Sequence, residues 1–136
     1  MQNTTQTAAE TMALAKSLLE QYPEHKIWLL YGNLGAGKTT LVKGLAEALG
    51  IEASAIKSPT FTLISEHPGL IHYDLYRLEK LDPFTLDQLE EHLAQGKHLV
   101  IEWPEKIEAQ LQRPHLRIHL EHKGGDEREI TVTEVP

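Results

Sequence analysis

Apolar residues at Met12, Ala15, Leu18, Leu19 and Tyr22 recur every three or four positions, which gathers them on one side of a helix. The stretch opens with Thr7-Ala8-Ala9-Glu10, an S/T-x-x-E capping box. A helix is therefore predicted from about Ala8 to Tyr22, ending before Pro23, its stripe serving the core. Ile27-Trp28-Leu29-Leu30-Tyr31 is apolar without alternation, as in a central strand covered on both faces. Leu41, Val42, Leu45, Ala46 and Leu49 return to helical spacing, giving a second helix over Thr39 to Leu49, with Gly50 as its C′ residue.

Ile51 to Pro59 carries little pattern and reads as a loop. Ser58-Pro59-Thr60 is an extended turn, because a residue before proline avoids helical geometry. Thr62 to Glu66 and Leu70 to Tyr76 flank His67-Pro68-Gly69 and predict an antiparallel hairpin, which makes the sheet mixed. Asp82-Pro83 starts a third helix, with Thr85 and Gln88 as a second capping pair; Leu86, Leu89 and Leu93 form its apolar face, and it ends near Gln95-Gly96. Leu99-Val100-Ile101 is another buried run, closed by Glu102-Trp103-Pro104, and a short helical segment is expected around Ile107 and Leu111. Leu116, Ile118 and Leu120 alternate with His115, Arg117, His119 and Glu121, a strand with one wet face that turns at Lys123-Gly124-Gly125-Asp126 and pairs with Ile130 and Val132. This terminal hairpin is expected to be structural, and His115 and His119 are expected to face water.

Between the first buried strand and the second helix stands Gly32-Asn33-Leu34-Gly35-Ala36-Gly37-Lys38-Thr39, which satisfies G-x-x-x-x-G-K-[ST]. Glycines let backbone N–H groups converge on phosphate oxygens, and the following helix aims its N-terminus at the same anion. Lys38 then supplies charge at the β- and γ-phosphates, and Thr39 a hydroxyl for Mg²⁺.

At 136 residues and 40 % hydrophobic, the chain fits one domain with a real core. Twenty acidic residues against 13 basic ones leave a formal charge of −7, which disfavours independent binding to a polyanion. The absence of cysteine excludes disulfides and thiolate chemistry, and the eight histidines show no tight metal-ligand spacing. The polar start Met1-Gln2-Asn3-Thr4-Thr5-Gln6 lacks the pattern of a signal peptide and no apolar run reaches membrane-spanning length, so a cytoplasmic protein with no membrane partner is expected.

A nucleotide site of this kind needs an acid near Mg²⁺ and a group that positions water or an acceptor hydroxyl. Glu102 follows a buried strand, where an α/β sheet presents residues to its ligand crevice. It can ligate Mg²⁺, act through a metal-bound water, orient the attacking water, or simply be a solvated strand end. Asp74, in His72-Tyr73-Asp74-Leu75-Tyr76-Arg77, shares one strand face with His72 and Tyr76. It is either a site acid or the polar side of an edge strand. Trp103 either joins the core or borders the nucleotide.

Gly32-Asn33-Leu34-Gly35-Ala36-Gly37-Lys38-Thr39-Thr40, Ser58-Pro59-Thr60-Phe61-Thr62-Leu63, His72-Tyr73-Asp74-Leu75-Tyr76-Arg77-Leu78 and Val100-Ile101-Glu102-Trp103 resemble, in order and spacing, the bacterial TsaE (YjeE) family over roughly residues 8 to 104. The resemblance implies a P-loop ATPase needed for N6-threonylcarbamoyladenosine at position 37 of tRNA, working with a TsaB–TsaD heterodimer and touching tRNA indirectly or by minor contacts. It also implies Asn33, Leu34, Gly35, Ala36, Gly37, Lys38, Thr39 and Thr40 around the phosphates of ATP, and Thr39 with Glu102 at Mg²⁺. Lys38, Asp74 and Glu102 are then the catalytic group, Thr60 and Asp74 parts of switch segments, Trp103 a neighbour of the nucleotide, and Thr11, beside Glu10, a residue near the base. Asn33 departs from the family's usual Asp, and the helix around Leu86 to Leu93 lacks a glycine often found there.

The reading is an α/β fold over residues 1–136: a single P-loop NTPase domain with a mixed central β-sheet flanked by helices and a C-terminal β-hairpin. It binds Mg·ATP and hydrolyses it slowly alone, and the loop from Ile51 to Pro59 is its mobile piece. Two rivals use the same cradle: a small-molecule kinase, and a nucleotide-gated binding module without turnover. The kinase needs an acceptor pocket and a lid with arginines, and the chain has only Arg77, Arg113, Arg117 and Arg128.

Overall fold

The computed structural model describes residues 1–57 and 63–136. Among these, the chain forms strands β1 (Gln2–Thr5), β2 (Ile27–Tyr31), β3 (Ile64–His67), β4 (Leu70–Asp74), β5 (His98–Glu102), β6 (His115–Gly124) and β7 (Glu127–Val135), with helices α1 (Ala8–Gln21), α2 (Lys38–Ala48) and α3 (Pro83–Ala94). The strands make one sheet in the order β1-β7-β6-β2-β5-β4-β3. β2 runs parallel to β5 and β6, and β4 parallel to β5. The β3/β4, β6/β7 and β1/β7 pairs are antiparallel, so the sheet is mixed.

The unbroken apolar run of β2 follows from its place in the middle of this sheet. Trp28 and Leu30 face a cluster with Ala15 and Leu18 of α1 and Leu41, Val42 and Leu45 of α2. Ile27 and Leu29 face the opposite cluster, with Ile71, Tyr73, Leu89 of α3, Ile107 and Leu111. Period-2 alternation thus divides one strand between two cores.

The helix ends carry the chemistry that their sequences promise. Glu10 N–H donates to Thr7 Oγ1 at 3.1 Å, and Glu10 Oε1 accepts at 2.8 Å from the N–H of Gln6, one residue before the cap, a variant of the box. Asp82 caps α3 by accepting from Thr85 N–H at 2.7 Å, and this, not a Thr85–Gln88 pair, starts the helix. At the end of α2, Ile51 N–H donates to Ala46 O at 2.8 Å and Gly50 N–H to Glu47 O at 3.0 Å, a Schellman arrangement with Gly50 at φ +83°.

Several expectations change. Gln2–Thr5, with no apolar periodicity, is an edge strand drawn up by β7. The segment near Ile107 and Leu111 forms two 3₁₀ turns, Pro104–Lys106 and Glu108–Gln110. β4 lies inside the sheet between β3 and β5, which excludes the edge-strand reading of Asp74; it ends at that residue, so Tyr76 lies beyond its alternation. His115 is buried and donates from Nδ1 to the Arg113 carbonyl at 2.8 Å, because the carbonyl two residues back folds over the start of β6; it does not face water. His119 is exposed, as expected, and stacks on Tyr31 with ring centroids 4.6 Å apart. In the stretch expected to be a mobile loop, Ala53–Ala55 is a 3₁₀ turn and Ile56 is buried in the α1/α2 core. Among the described residues no helix is long and apolar enough to cross a membrane.

Candidate functional site

Three parallel strands, β2, β4 and β5, end on one edge of the sheet, and the register brings their ends level. Leu30 of β2 and Asp74 of β4 both lie opposite Glu102 of β5. The loop after β2, Asp74 and Glu102 therefore meet at the strands' carboxyl ends, where open α/β sheets bind ligands.

Two glycines make the loop possible. A Cβ on Gly32 would sit 2.6 Å from the Leu120 carbonyl oxygen. Gly37, at φ +100°, is the left-handed residue that turns the chain into α2, and no side chain caps the N–H groups of that helix. Those donors are left for an anion. Ala36 is buried, Thr40 is half-buried in the first turn of α2, and Asn33 and Leu34 are exposed at the tip.

Lys38 is folded back into this cradle. It is 4 % exposed; its Nζ donates to Gly32 O at 2.5 Å and lies 3.3 Å from the centroid of the Trp103 ring. Burial pushes its pKa down, against the pull of Glu102, Asp74 and Glu105. Trp103 has a left-handed backbone (φ 57°), uncommon for a residue with a side chain, and its indole also meets the Tyr76 ring at 4.9 Å. Trp103 thus borders the phosphate loop, while Trp28 is the core tryptophan.

Glu102 is the buried acid of the site. Thr39 Oγ1 lies 3.3 Å from each of its carboxylate oxygens, and His72 Nε2 lies 2.6 Å from Oε2. A carboxylate only accepts, so Nε2 of His72 carries the proton, and His72 Nδ1 is buried with no partner. Asp74, half-buried, accepts from Tyr76 N–H at 3.1 Å. Burial raises its pKa; the Tyr76 N–H opposes this, Glu102 adds to it, and His72 and Lys38 pull it down.

Lys38, Thr39, Asp74, Glu102 and Trp103 are brought together. Thr11 is buried on α1, its hydroxyl 2.7 Å from that of Thr5 and 3.3 Å from Thr7 O, which commits it to the β1–α1 junction. Thr60 lies outside the described residues. His72 was missed as a site residue because a single histidine in a strand carries no spacing signal. The register supplies one: His72 pairs with Val100, so His72 and Glu102 share a face as diagonal neighbours. Among the described residues no three His, Asp or Glu side chains gather as a metal site.

Comparison with known proteins gives a consistent picture. The family model described as "Threonylcarbamoyl adenosine biosynthesis protein TsaE" matches residues 5–130. The tRNA threonylcarbamoyladenosine biosynthesis protein TsaE of Bacillus subtilis is 44 % identical over 131 residues, covering 93 % of this chain and 80 % of its own. Its counterpart from Treponema pallidum is 41 % identical over 112 residues, covering 80 % and 82 %. The crystal structure of Bacillus subtilis YdiB superposes with a TM-score of 0.75 at 37 % identity, covering all of this chain and 86 % of that one.

Proposed function

The chain belongs to the TsaE family of threonylcarbamoyl adenosine biosynthesis proteins, and from that premise we propose that it is the ATPase of this tRNA modification, holding ATP with Mg²⁺ and working on a TsaB–TsaD complex. The observation that carries the reading is the approach of Thr39 to Glu102 at 3.3 Å, which joins the head of the loop helix to a buried acid at the end of a core strand. The chemistry of the donors fits the nucleotide: uncapped N–H groups at α2, an ammonium at the loop, and a hydroxyl beside a carboxylate, hard oxygen ligands suited to Mg²⁺.

Bound Mg·ATP would supply the reactive phosphoryl group and a metal charge to offset the negative charge that develops on it, with Thr39 and Glu102 as the residues that would hold the metal. The chain does the positioning. Lys38 would exchange its bond to Gly32 O for phosphate oxygens and bring positive charge to them. Thr39 and Glu102 hold the metal's side of the site, with His72 fixing the carboxylate. Asp74, next to Glu102 in the register, accepts a hydrogen bond from the attacking water. Leu34 at the tip of the loop and Tyr76 against Trp103 are exposed and offer apolar contact to the partner complex beside the nucleotide site. Transfer to tRNA then occurs on the partners.

The test is ADP production from ATP by the purified protein, alone and with a bacterial TsaB–TsaD pair plus tRNA. Slow turnover alone, stimulation by the complex, and a loss of about 10²-fold or more in Lys38→Ala and Glu102→Ala are expected. Full turnover in Glu102→Ala would remove the acid from its role. Phosphate appearing on a metabolite would favour a kinase, and tight ATP binding without ADP release, partners present, a switch without turnover.

A further inference from the structure

The terminal hairpin, expected from its sequence to be structural, reaches the phosphate loop. β6 pairs with β2 only as far as His119 opposite Tyr31, yet continues to Gly124, so the hairpin stands beyond the sheet edge on which the loop lies. Its return strand brings Arg128 back over that loop.

Arg128 Nη2 donates to the Gly35 carbonyl at 3.2 Å, across 93 positions of sequence. Nη1 donates to the carbonyls of Gly125 and Glu127, each at 3.1 Å. Nε is buried without a partner and would lie 3.3 Å from a Cβ on Gly37. The guanidinium is thus wedged between the hairpin turn and the Gly35–Gly37 arc, using the forked donors that distinguish arginine from lysine. Among the described residues its hydrogen-bond partners are all carbonyls, and the neighbouring Glu129 is taken by Gln2 and Lys123. Its charge therefore stands beside the cradle without a carboxylate to cancel it.

We propose that Arg128 is a positioning residue of the nucleotide site: it holds the Gly35–Gly37 arc open for a nucleoside di- or triphosphate and adds positive charge to the wall against which the phosphates lie. The inference rests on the ATP reading above and goes beyond it, because it makes the C-terminal hairpin part of the binding site.

Calorimetric titration of the full chain with ADP and with ATP, Mg²⁺ present, tests it in the wild type, Arg128→Gln, Arg128→Lys and Arg113→Gln, the last removing a charge from an exposed residue just before β6, at its far end. The dissociation constant should rise about tenfold in Arg128→Gln, by less in Arg128→Lys, and not in Arg113→Gln. In steady state KM should rise while kcat holds, and melting without nucleotide should stay near wild type. Equal affinity in Arg128→Gln and wild type overturns the role of Arg128 alone. An affinity loss matched by a large drop in the nucleotide-free melting temperature also overturns it, reducing the residue to a fold contact. A wild-type chain that binds neither nucleotide overturns both this inference and the ATPase reading.

Discussion

His72 shows how one side chain decides whether a carboxylate can serve. Glu102 is almost fully buried, and a buried carboxylate without a donor is costly and free to rotate. The 2.6 Å bond from His72 ties down Oε2 and leaves the carboxylate turned toward Thr39. On the proposal that Glu102 serves Mg²⁺, a partner that orients it is worth about 10–100-fold in activity or metal affinity. His72→Ala should therefore lower kcat by about that factor and raise the Mg²⁺ concentration needed for half-maximal rate, while ADP binding without Mg²⁺ is unchanged. His72→Gln, whose amide can donate to the same oxygen, should recover part of the rate. An undiminished kcat in His72→Ala would sink the assignment, and an equal loss in Gln would make the residue a packing element. Lys38 and Thr39 stood out in the sequence through local spacing, and Glu102 as a carboxylate closing a buried run and through the family resemblance; the structure brings the three together. His72 and Arg128 did not stand out, since each acts through a partner that only sheet register or the return of a hairpin brings near.

Among the elements, the α1/α2 contact supports the site most directly, since α2 carries Lys38 and Thr39 on its first turn. The two helices meet at Gly44, where an added Cβ would lie 2.4 Å from the Met12 carbonyl oxygen and 2.6 Å from its Cα. A mid-helix glycine costs about 1 kcal/mol in propensity, here offset by the close approach it permits. Gly44→Ala should consequently destabilise the protein by about 1–3 kcal/mol despite the better helix former, because the obstacle is backbone and cannot rotate away. Urea unfolding would check this, and a Gly44→Ala chain as stable as wild type would show that the helices part at no cost. Elements with strong patterns were legible: α1 from its box and stripe, β2 from its unbroken run, and the β3/β4 hairpin from His67-Pro68-Gly69. β1 was not, because Gln2–Thr5 is polar throughout and owes its form to the hydrogen bonds offered by the edge of β7. The 3₁₀ turns between β5 and β6 hide for a related reason: Ile107 and Leu111 are buried, but their spacing by four imitates a continuous helix.

For the whole molecule, charge and topology together bear on how a protein with a tRNA-modification relationship meets RNA. The parallel strands send Lys38 and, with the hairpin, Arg128 to one edge, while Lys26, Lys97 and Arg113 line a cavity of about 220 Å³ that also takes in Glu24, at the start of the same strands. These five of the 13 cations are thus divided between opposite ends of the sheet, inside a net charge of −7, and neither of the two groups forms the stripe that follows a phosphate backbone. Lys38 and Arg128 are also engaged by carbonyls, and Lys38 by the Trp103 ring. Affinity for tRNA without partners should therefore rest on few ionic contacts. Filter binding with unmodified tRNA should give a dissociation constant no tighter than about 10⁻⁶ to 10⁻⁴ M near physiological salt, with a shallow dependence on salt because few counterions are released. Adding ATP should not tighten it, since the nucleotide brings more negative charge to the one edge that carries Lys38 and Arg128. Retention at nanomolar concentrations with a steep salt slope would overturn this, and RNA recognition would then belong to this chain instead of to its partners.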